Sequence, residues 1–299
     1  MKLYSQYEHE TQLIFELGRT LYRYTPPIIK VGRTTEFVAS SILLKFNKSK
    51  FLVTAAHVIK RIDSRLLRIP FNKQVLCIGG SHIITNAGSI DEDRIDVAVF
   101  KLDDESVDVL AQNGFLFYDL GSIEIDLEDI HDENYITFGH PVNRNQVKAK
   151  HKKLRFEPFN FRTTLSDCDN LYSSLGLTKV VHQILQYRKR KIQDGLTGNI
   201  ITGPTPYGMS GCGIWRIPHF LVAESSELKF FPTAMVTEYH VNRTALVGTR
   251  VNVISEIIRK TFAPDLQPSR KILINQNNLG VKPFPPSLPI PDSRFKLSV

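Results

Sequence analysis

Residues 207–215 read YGMSGCGIW, with one serine, Ser210, set among Gly208, Gly211 and Gly213. Glycine is costly to order because its backbone is so free. Such a cluster marks a place where the chain turns tightly or lets another molecule approach. A serine hydroxyl is a weak nucleophile at neutral pH; it needs a base within reach, and the base needs an orienting carboxylate. Two other segments supply those types. FLVTAAHVI at 51–59 runs four β-prone residues into two alanines and then presents His57, with small neighbours beside the imidazole. IDVAVFKL at 95–102 begins an apolar strand at Asp96, where a carboxylate otherwise has little reason to stand. Asp91 and Asp93 are rival orienters, but the apolar run starts at Asp96, which is preferred.

The segments that must position these residues are mostly β-like. FVASSILLKF at 37–46 reads as a strand, NKSK as its turn and FLVT at 51–54 as the return. QVLCI at 74–78, HIIT at 82–85, the run from 96 and YITFG at 135–139 continue the pattern. Short strands with turn residues between them predict a barrel or sandwich. Residues 5–24 read as a helix, with Leu13, Leu17 and Leu21 every fourth place and TPP as its stop. Residues 176–195 also read as a helix, with Val180, Val181, Ile184 and Leu185 on one side and Gly195 ending it. TAMVTEY at 233–239 and ALVGTRV at 245–251 read as a hairpin, and VISEIIRKTF at 253–262 as an amphipathic helix with Ile254, Ile257 and Ile258 inward. The proline-rich segment 263–299 is expected to be disordered or laid extended over a surface.

TAAHV, DVAVFKL and GMSGCG together resemble the three signature segments of the chymotrypsin-like (trypsin-fold) serine peptidases, in that family's chain order. The resemblance spans about residues 30–262, and YITFGHP resembles the first strand of the family's second barrel. It implies a mainly β protein of two six-stranded antiparallel β-barrels, with an added N-terminal helix, a helical insertion and a C-terminal helix. The expected divisions are an extension at 1–29, a first barrel at 30–125, a second at 126–262 with an insertion at 165–195, and a tail at 263–299. Carried over, Ser210 attacks a peptide carbonyl, His57 shuttles the proton and Asp96 fixes the imidazole tautomer. The backbone N–H groups of Gly208 and Ser210 form the oxyanion hole. Pro204, Thr205, Pro206 and Tyr207 wall the specificity pocket, and Thr237, Glu238 and Tyr239 resemble the strand that pairs with substrate backbone.

The chain departs from the family at several points. Many secreted members carry an aspartate just before the serine, which pairs with a newly cut N-terminus; here that place holds Met209, so activation by that ion pair is not available. The second glycine after the serine is replaced by Cys212, for which packing is favoured over redox control. The aspartate that selects basic side chains in trypsin falls near Pro204, so a preference for Arg or Lys is not supported.

Composition narrows the rest. Of 299 residues, 42% are hydrophobic and 23% charged, ordinary for a globular protein with a sizeable core. No apolar run approaches the roughly 18 residues of a membrane span, and the N-terminal stretch has no apolar signal core. The three cysteines, Cys77, Cys168 and Cys212, make a poor disulfide framework and fit a reducing cytoplasm. With no CxxC or CxxH pair, a structural zinc site is not expected, and the family resemblance implies neither a metal nor a cofactor. The leading expectation is a cytoplasmic endopeptidase acting on a protein or peptide substrate. It is similar to intracellular stand-alone peptidases of microbial stress or immune systems, which answer to a regulatory partner. The alternative is a catalytically quiet binding module on the same scaffold. It would dock protein or nucleic acid through the basic clusters at 148–155 and 188–191, which carry much of the +8 net charge.

Overall fold

A computed structural model describes residues 16–71, 74–85, 93–130, 133–145, 147–148, 153–154, 157–166, 168–194, 199–218, 229–274 and 279–283. Helix α1 covers 16–24. The strands that follow are β1 Pro27–Val31, β2 Thr35–Ser40, β3 Ile42–Phe46, β4 Ser49–Ala55, β5 Leu67–Phe71, β6 Gln74–Cys77, β7 Ser81–Thr85, β8 Val97–Lys101 and β9 Tyr118–Asp119. Helix α2, Ala56–Arg61, leaves β4 directly, and α3, Asp104–Gln112, follows β8. The second half holds β10 Asn134–Gly139, β11 Val147–Lys148, β12 Lys153–Leu154, β13 Phe159–Thr163, α4 Asp169–Ser174, β14 His182–Gln186, β15 Ile192–Asp194 and β16 Ile200–Ile201. It continues with β17 Gly213–Ile217, β18 Phe231–His240, β19 Ala245–Arg250, α5 Val251–Thr261 and a last strand, β20 Leu279–Pro283.

The first half is built from a four-stranded sheet, β2-β1-β5-β6, and a six-stranded sheet, β20-β7-β8-β4-β3-β9. The second half is built around an eight-stranded sheet, β14-β19-β18-β17-β10-β13-β15-β16, with β11 and β12 as a separate ribbon. The stretch expected as one strand at 37–46 is two, broken at Ser41, and each joins a different sheet.

Period-two alternation explains why these strands are nearly all apolar. In β3, Ile42 and Leu44 face a core shared by the two halves, while Leu43 faces the interior of the first half with Leu52 and Phe100. In β4, Phe51 and Val53 point to the shared core. A sheet buried on both faces cannot alternate apolar with polar. The shared core also takes Leu17 and Leu21 of α1, Trp215 of β17, and Ile254, Ile257 and Ile258 of α5. Both the entering and the leaving helix therefore belong to the main packing.

One expected helix is not formed. Within 176–195 the chain makes β14, which pairs antiparallel with β19 from His182↔Thr249 to Gln186↔Ala245, and then β15. Ile184 and Leu185 are both fully buried, in separate clusters on opposite faces of the strand. The insertion's helix lies earlier, as the single turn and a half of α4. Val180 and Val181 fall in the turn before β14, and pairing with the edge of β19 overrides the helical pattern read from the local sequence.

Candidate active site

Three chain segments meet in one cleft of about 400 Å³, lined by His57, Asp96, Ser210, Arg61, Asp93, Arg94, Pro206, Tyr207, Val236, Thr237, Glu238, Tyr239 and Leu246. His57 is the second residue of α2. The first N–H groups of a helix lack partners inside it, and Ala55, at the cap position, offers no side-chain bond. Asp96, just before β8, supplies them. Its C=O accepts the Ala56 N–H at 3.0 Å, and its Oδ1 accepts the His57 N–H at 2.7 Å. Its Oδ2 lies 2.6 Å from His57 Nδ1. One aspartate thus caps the helix and orients the imidazole.

Asp96 has φ of 48°, in the left-handed region. Aspartate tolerates that region better than most residues, and here the strain is held from behind. Asp93 Oδ1 accepts the Asp96 N–H at 3.0 Å, while its Oδ2 accepts from Lys60 Nζ at 2.7 Å and from Thr85 Oγ1 at 2.8 Å. Of the two rival orienters, Asp91 lies outside the described residues, and Asp93 is a support beneath Asp96. Burial pushes the Asp96 carboxyl above its ordinary range; the hydrogen bonds from His57 pull the other way without cancelling it.

Ser210 sits on a tight turn between Gly208, φ 89°, and Gly211, φ 92°. Both glycines are obligatory by space as well as by angle. A Cβ on Gly208 would stand 2.7 Å from the His140 carbonyl oxygen, and one on Gly211 only 2.1 Å from that of Ser40. The N–H groups around the serine divide cleanly. Met209 donates to Pro206 C=O at 2.9 Å, and Gly211 donates to Val236 C=O at 2.7 Å. Those of Gly208 and Ser210 meet no acceptor among the described residues. Backbone N–H groups in folded chains are nearly always paired, so two left open in the turn that carries the serine make a place for an anionic oxygen. Ser210 Oγ and His57 Nε2 share the cleft with no hydrogen bond between them among the described residues. Such bonds are often long in unliganded sites and tighten with substrate.

The walls follow the sequence reading in part. Pro206, Tyr207, Thr237, Glu238 and Tyr239 line the cleft; Pro204 and Thr205 are not among its lining residues. The Pro204 carbonyl instead accepts the Tyr187 hydroxyl, and Thr205 Oγ1 accepts from Lys189 Nζ at 3.0 Å. Tyr187, fully buried, packs edge-on against Tyr239 with ring centroids 5.4 Å apart. Glu238 is paired with His240 at 2.9 Å. β18 bulges between Val236 and Glu238 against β19, and its pairing with β17 ends at Met235. Beyond Val236 its other edge, beside the cleft, pairs with no strand among the described residues. Cys212 is buried against Gly139 with its thiol pushed far up by desolvation, which suits packing and not redox exchange.

Sequence reasoning did not find Arg61 and Arg94 in the cleft lining, Asp93 as a support, or Ser40 and Val142 behind the serine turn. Only Asp93 left a signal: an aspartate three residues before another is a turn-forming spacing. Among the described residues no group of three or more His, Cys, Asp or Glu could hold a metal ion, and no helix is long and apolar enough to cross a membrane. Most of the basic cluster at 148–155 lies outside the described residues, while 188–191 is exposed between β14 and β15.

The fold is mainly β, with its cleft at the seam of two β-rich halves. No protein-family model matches the chain. No curated protein matches it significantly. It is similar to a crystal structure of scabies mite inactivated protease paralogue S-D1, with 11% identity, a TM-score of 0.48, and coverage of 86% of this chain and 97% of that one. It is also similar to inactivated protease paralogue S-I1 of the same mite, with 13% identity, a TM-score of 0.46, and coverage of 81% and 96%. Likeness this distant says nothing of this chain's chemistry, which must be argued from its own residues.

Proposed function

We propose that this chain is a trypsin-like serine endopeptidase that cleaves a partner protein through an acyl-enzyme. The observation that carries the reading is the doubly held His57–Asp96 pair facing the same cleft as Ser210, with two open N–H groups beside the serine. Ser210 Oγ attacks the peptide carbonyl while His57 Nε2 takes its proton. Asp96 keeps the Nδ1 proton in place and stabilises the imidazolium. The carbonyl oxygen, now anionic, lies against the N–H groups of Gly208 and Ser210. His57 then gives its proton to the leaving amine, and water, deprotonated by the same nitrogen, releases the acid. The open edge of β18 at Thr237–Tyr239 receives the substrate backbone as an added strand. The work site is the cytoplasm, where unpaired cysteines persist.

The test is labelling by a fluorophosphonate probe of the wild type and of Ser210→Ala. Labelling of the wild type alone supports an activated serine; equal labelling, or none, ends the reading. A second reading, a quiet docking module, draws on the missing Ser210–His57 bond and on the exposed run 188–191. Phosphate-driven docking would weaken steeply with salt, so a flat salt response of nucleic-acid binding discards that version.

A further inference from the structure

All four carbonyls from 207 to 210 are held. Tyr207 C=O accepts the Val142 N–H at 2.7 Å, and Gly208 C=O accepts the Ser40 hydroxyl at 2.9 Å. Met209 C=O accepts the Cys212 N–H at 2.9 Å, and Ser210 C=O accepts the Ser40 N–H at 2.9 Å. In a planar trans peptide the C=O and the following N–H point in opposite directions. Holding the Tyr207 oxygen on Val142 therefore aims the Gly208 N–H away from Val142. Holding the Met209 oxygen on Cys212 does the same for the Ser210 N–H. These are the two N–H groups left without acceptors.

Ser40 is the centre of this arrangement. It is fully buried at the end of β2. Its oxygen accepts the His140 N–H at 2.9 Å, which directs its own proton to Gly208 C=O. Its carbonyl accepts from Thr54 Oγ1 at 2.8 Å. Ser40 comes from the first half of the chain and His140 from the second, so one hydroxyl ties both halves to the serine turn. Met209, buried among apolar side chains, offers no charge for an ion pair in that role.

Resting on the peptidase reading above, we propose that Ser40 and Val142 are positioning residues that fix the oxyanion hole in working shape as the chain folds. The turn then needs no ion pair to a newly cut chain end. Swinging the 207–208 peptide out of line would break the bond to Val142, and displacing the 208–209 peptide would leave the Ser40 hydroxyl without its acceptor in a buried site. Unmade buried hydrogen bonds are expensive, so the bonded arrangement persists before any substrate arrives.

Val142→Pro is the cleaner test. It removes the N–H and sets the ring Cδ in its place, so the Tyr207 oxygen can no longer stay where it is held now; Val142 is the second residue of a turn in which Pro141 C=O accepts the Arg144 N–H at 3.1 Å, a position whose backbone angles suit proline. Its side chain is exposed. Ser40→Ala is the companion. The readouts are the acylation burst with p-nitrophenyl acetate, corrected by Ser210→Ala, the affinity for phenylboronic acid, the downfield proton of the His57–Asp96 bond and the melting temperature. Losing one oxyanion donor costs roughly 100- to 1,000-fold, so loosening its support should slow acylation about tenfold or more. Boronate affinity should fall in step, with the downfield proton unmoved. Acylation and boronate affinity within twofold of wild type in folded Val142→Pro would overturn the proposal. So would loss of the downfield proton in both variants, which would mark general disruption. If Ser40→Ala does not fold, Val142→Pro decides alone. A wild type that is not acylated at Ser210 would end the peptidase reading, and this proposal with it.

Discussion

Asp96→Asn separates catalysis from stability in one substitution. The backbone N–H of His57 donates to Asp96 Oδ1 at 2.7 Å and must keep an oxygen acceptor. The asparagine amide therefore places its oxygen there and its NH₂ opposite His57 Nδ1. A donor facing Nδ1 forces that nitrogen to accept, which leaves the ring proton on Nε2, the atom that must take the serine proton. The wrong tautomer in such a triad costs about 10⁴ in rate, or roughly 5 kcal/mol of barrier. Stability should move the other way. Asp96's folded pKa is raised above 3.8, chiefly by burial, so the folded chain binds that proton more tightly than the unfolded one. The contribution of this group is then full below pH 3.8 and is lost as pH rises through the folded value. Asparagine carries no charge to desolvate. At pH 7 the variant should melt at or above the wild-type temperature, and that advantage should shrink towards pH 3. The assays are fluorophosphonate labelling rate and thermal melts across pH. A labelling rate within tenfold of wild type would refute the tautomer argument. A melting temperature lower at pH 7 than at pH 3, relative to wild type, would refute the desolvation argument.

Other predictions follow from the same contacts. Gly211→Ala drives a Cβ to 2.1 Å from the Ser40 carbonyl oxygen at φ 92°, so urea unfolding should show a loss of about 2–4 kcal/mol; an unchanged midpoint would contradict the geometry. His140 is fully buried, and burial lowers its pKa from 6.5 to about 4. The unfolded chain takes up that proton first, so about 3 kcal/mol of stability should drain away as pH falls from 6.5 to 4. In His140→Gln that acid sensitivity should flatten, as urea titrations at several pH values will read. Ending the chain at residue 265 removes Leu266 and Ile272 from the shared core and β20 from the edge of β7. Lower melting temperature with no gain in activity is expected; a faster enzyme would instead establish restraint by the tail.

His57, Asp96 and Ser210 were legible as candidates because each stands out against its local background. A histidine after two alanines, an aspartate opening an apolar strand and a serine inside a glycine cluster are local anomalies, and all three line one cleft. Most strands were legible for the same reason, through short β-branched runs such as VAVFK. The misread helix at 176–195 shows the limit. HQILQ carries no period that decides its state, and only the edge of β19, some 60 residues away, turns it into a strand. Ser40 was invisible for a further reason. A serine in VASSILL carries no spacing, charge or neighbour that separates it from Ser41, and its role exists only because His140 and Gly208 arrive 100 and 168 residues later.

Three of the residues with positive φ sit at the site, where the two halves meet, and the packing around them explains how they are held. Asp96 at φ 48°, Gly208 at 89° and Gly211 at 92° are all held by groups from other segments. Asp93 and α2 grip the first. Val142 and Ser40 grip the second through the carbonyls on either side of it. Val236 and Ser40 grip the third and its neighbour. At Asp96 such a conformation costs about 1–3 kcal/mol and persists because the surroundings over-determine it, whereas glycine adopts it without that cost. A turn anchored within one half could relax by local motion. This turn cannot, because its partners lie in both halves, and those are fused through a core that includes Phe51, Trp215 and Ile254. Loosening the serine turn therefore requires the seam itself to open, so site geometry and global stability should fail together in any variant that cuts into that shared core.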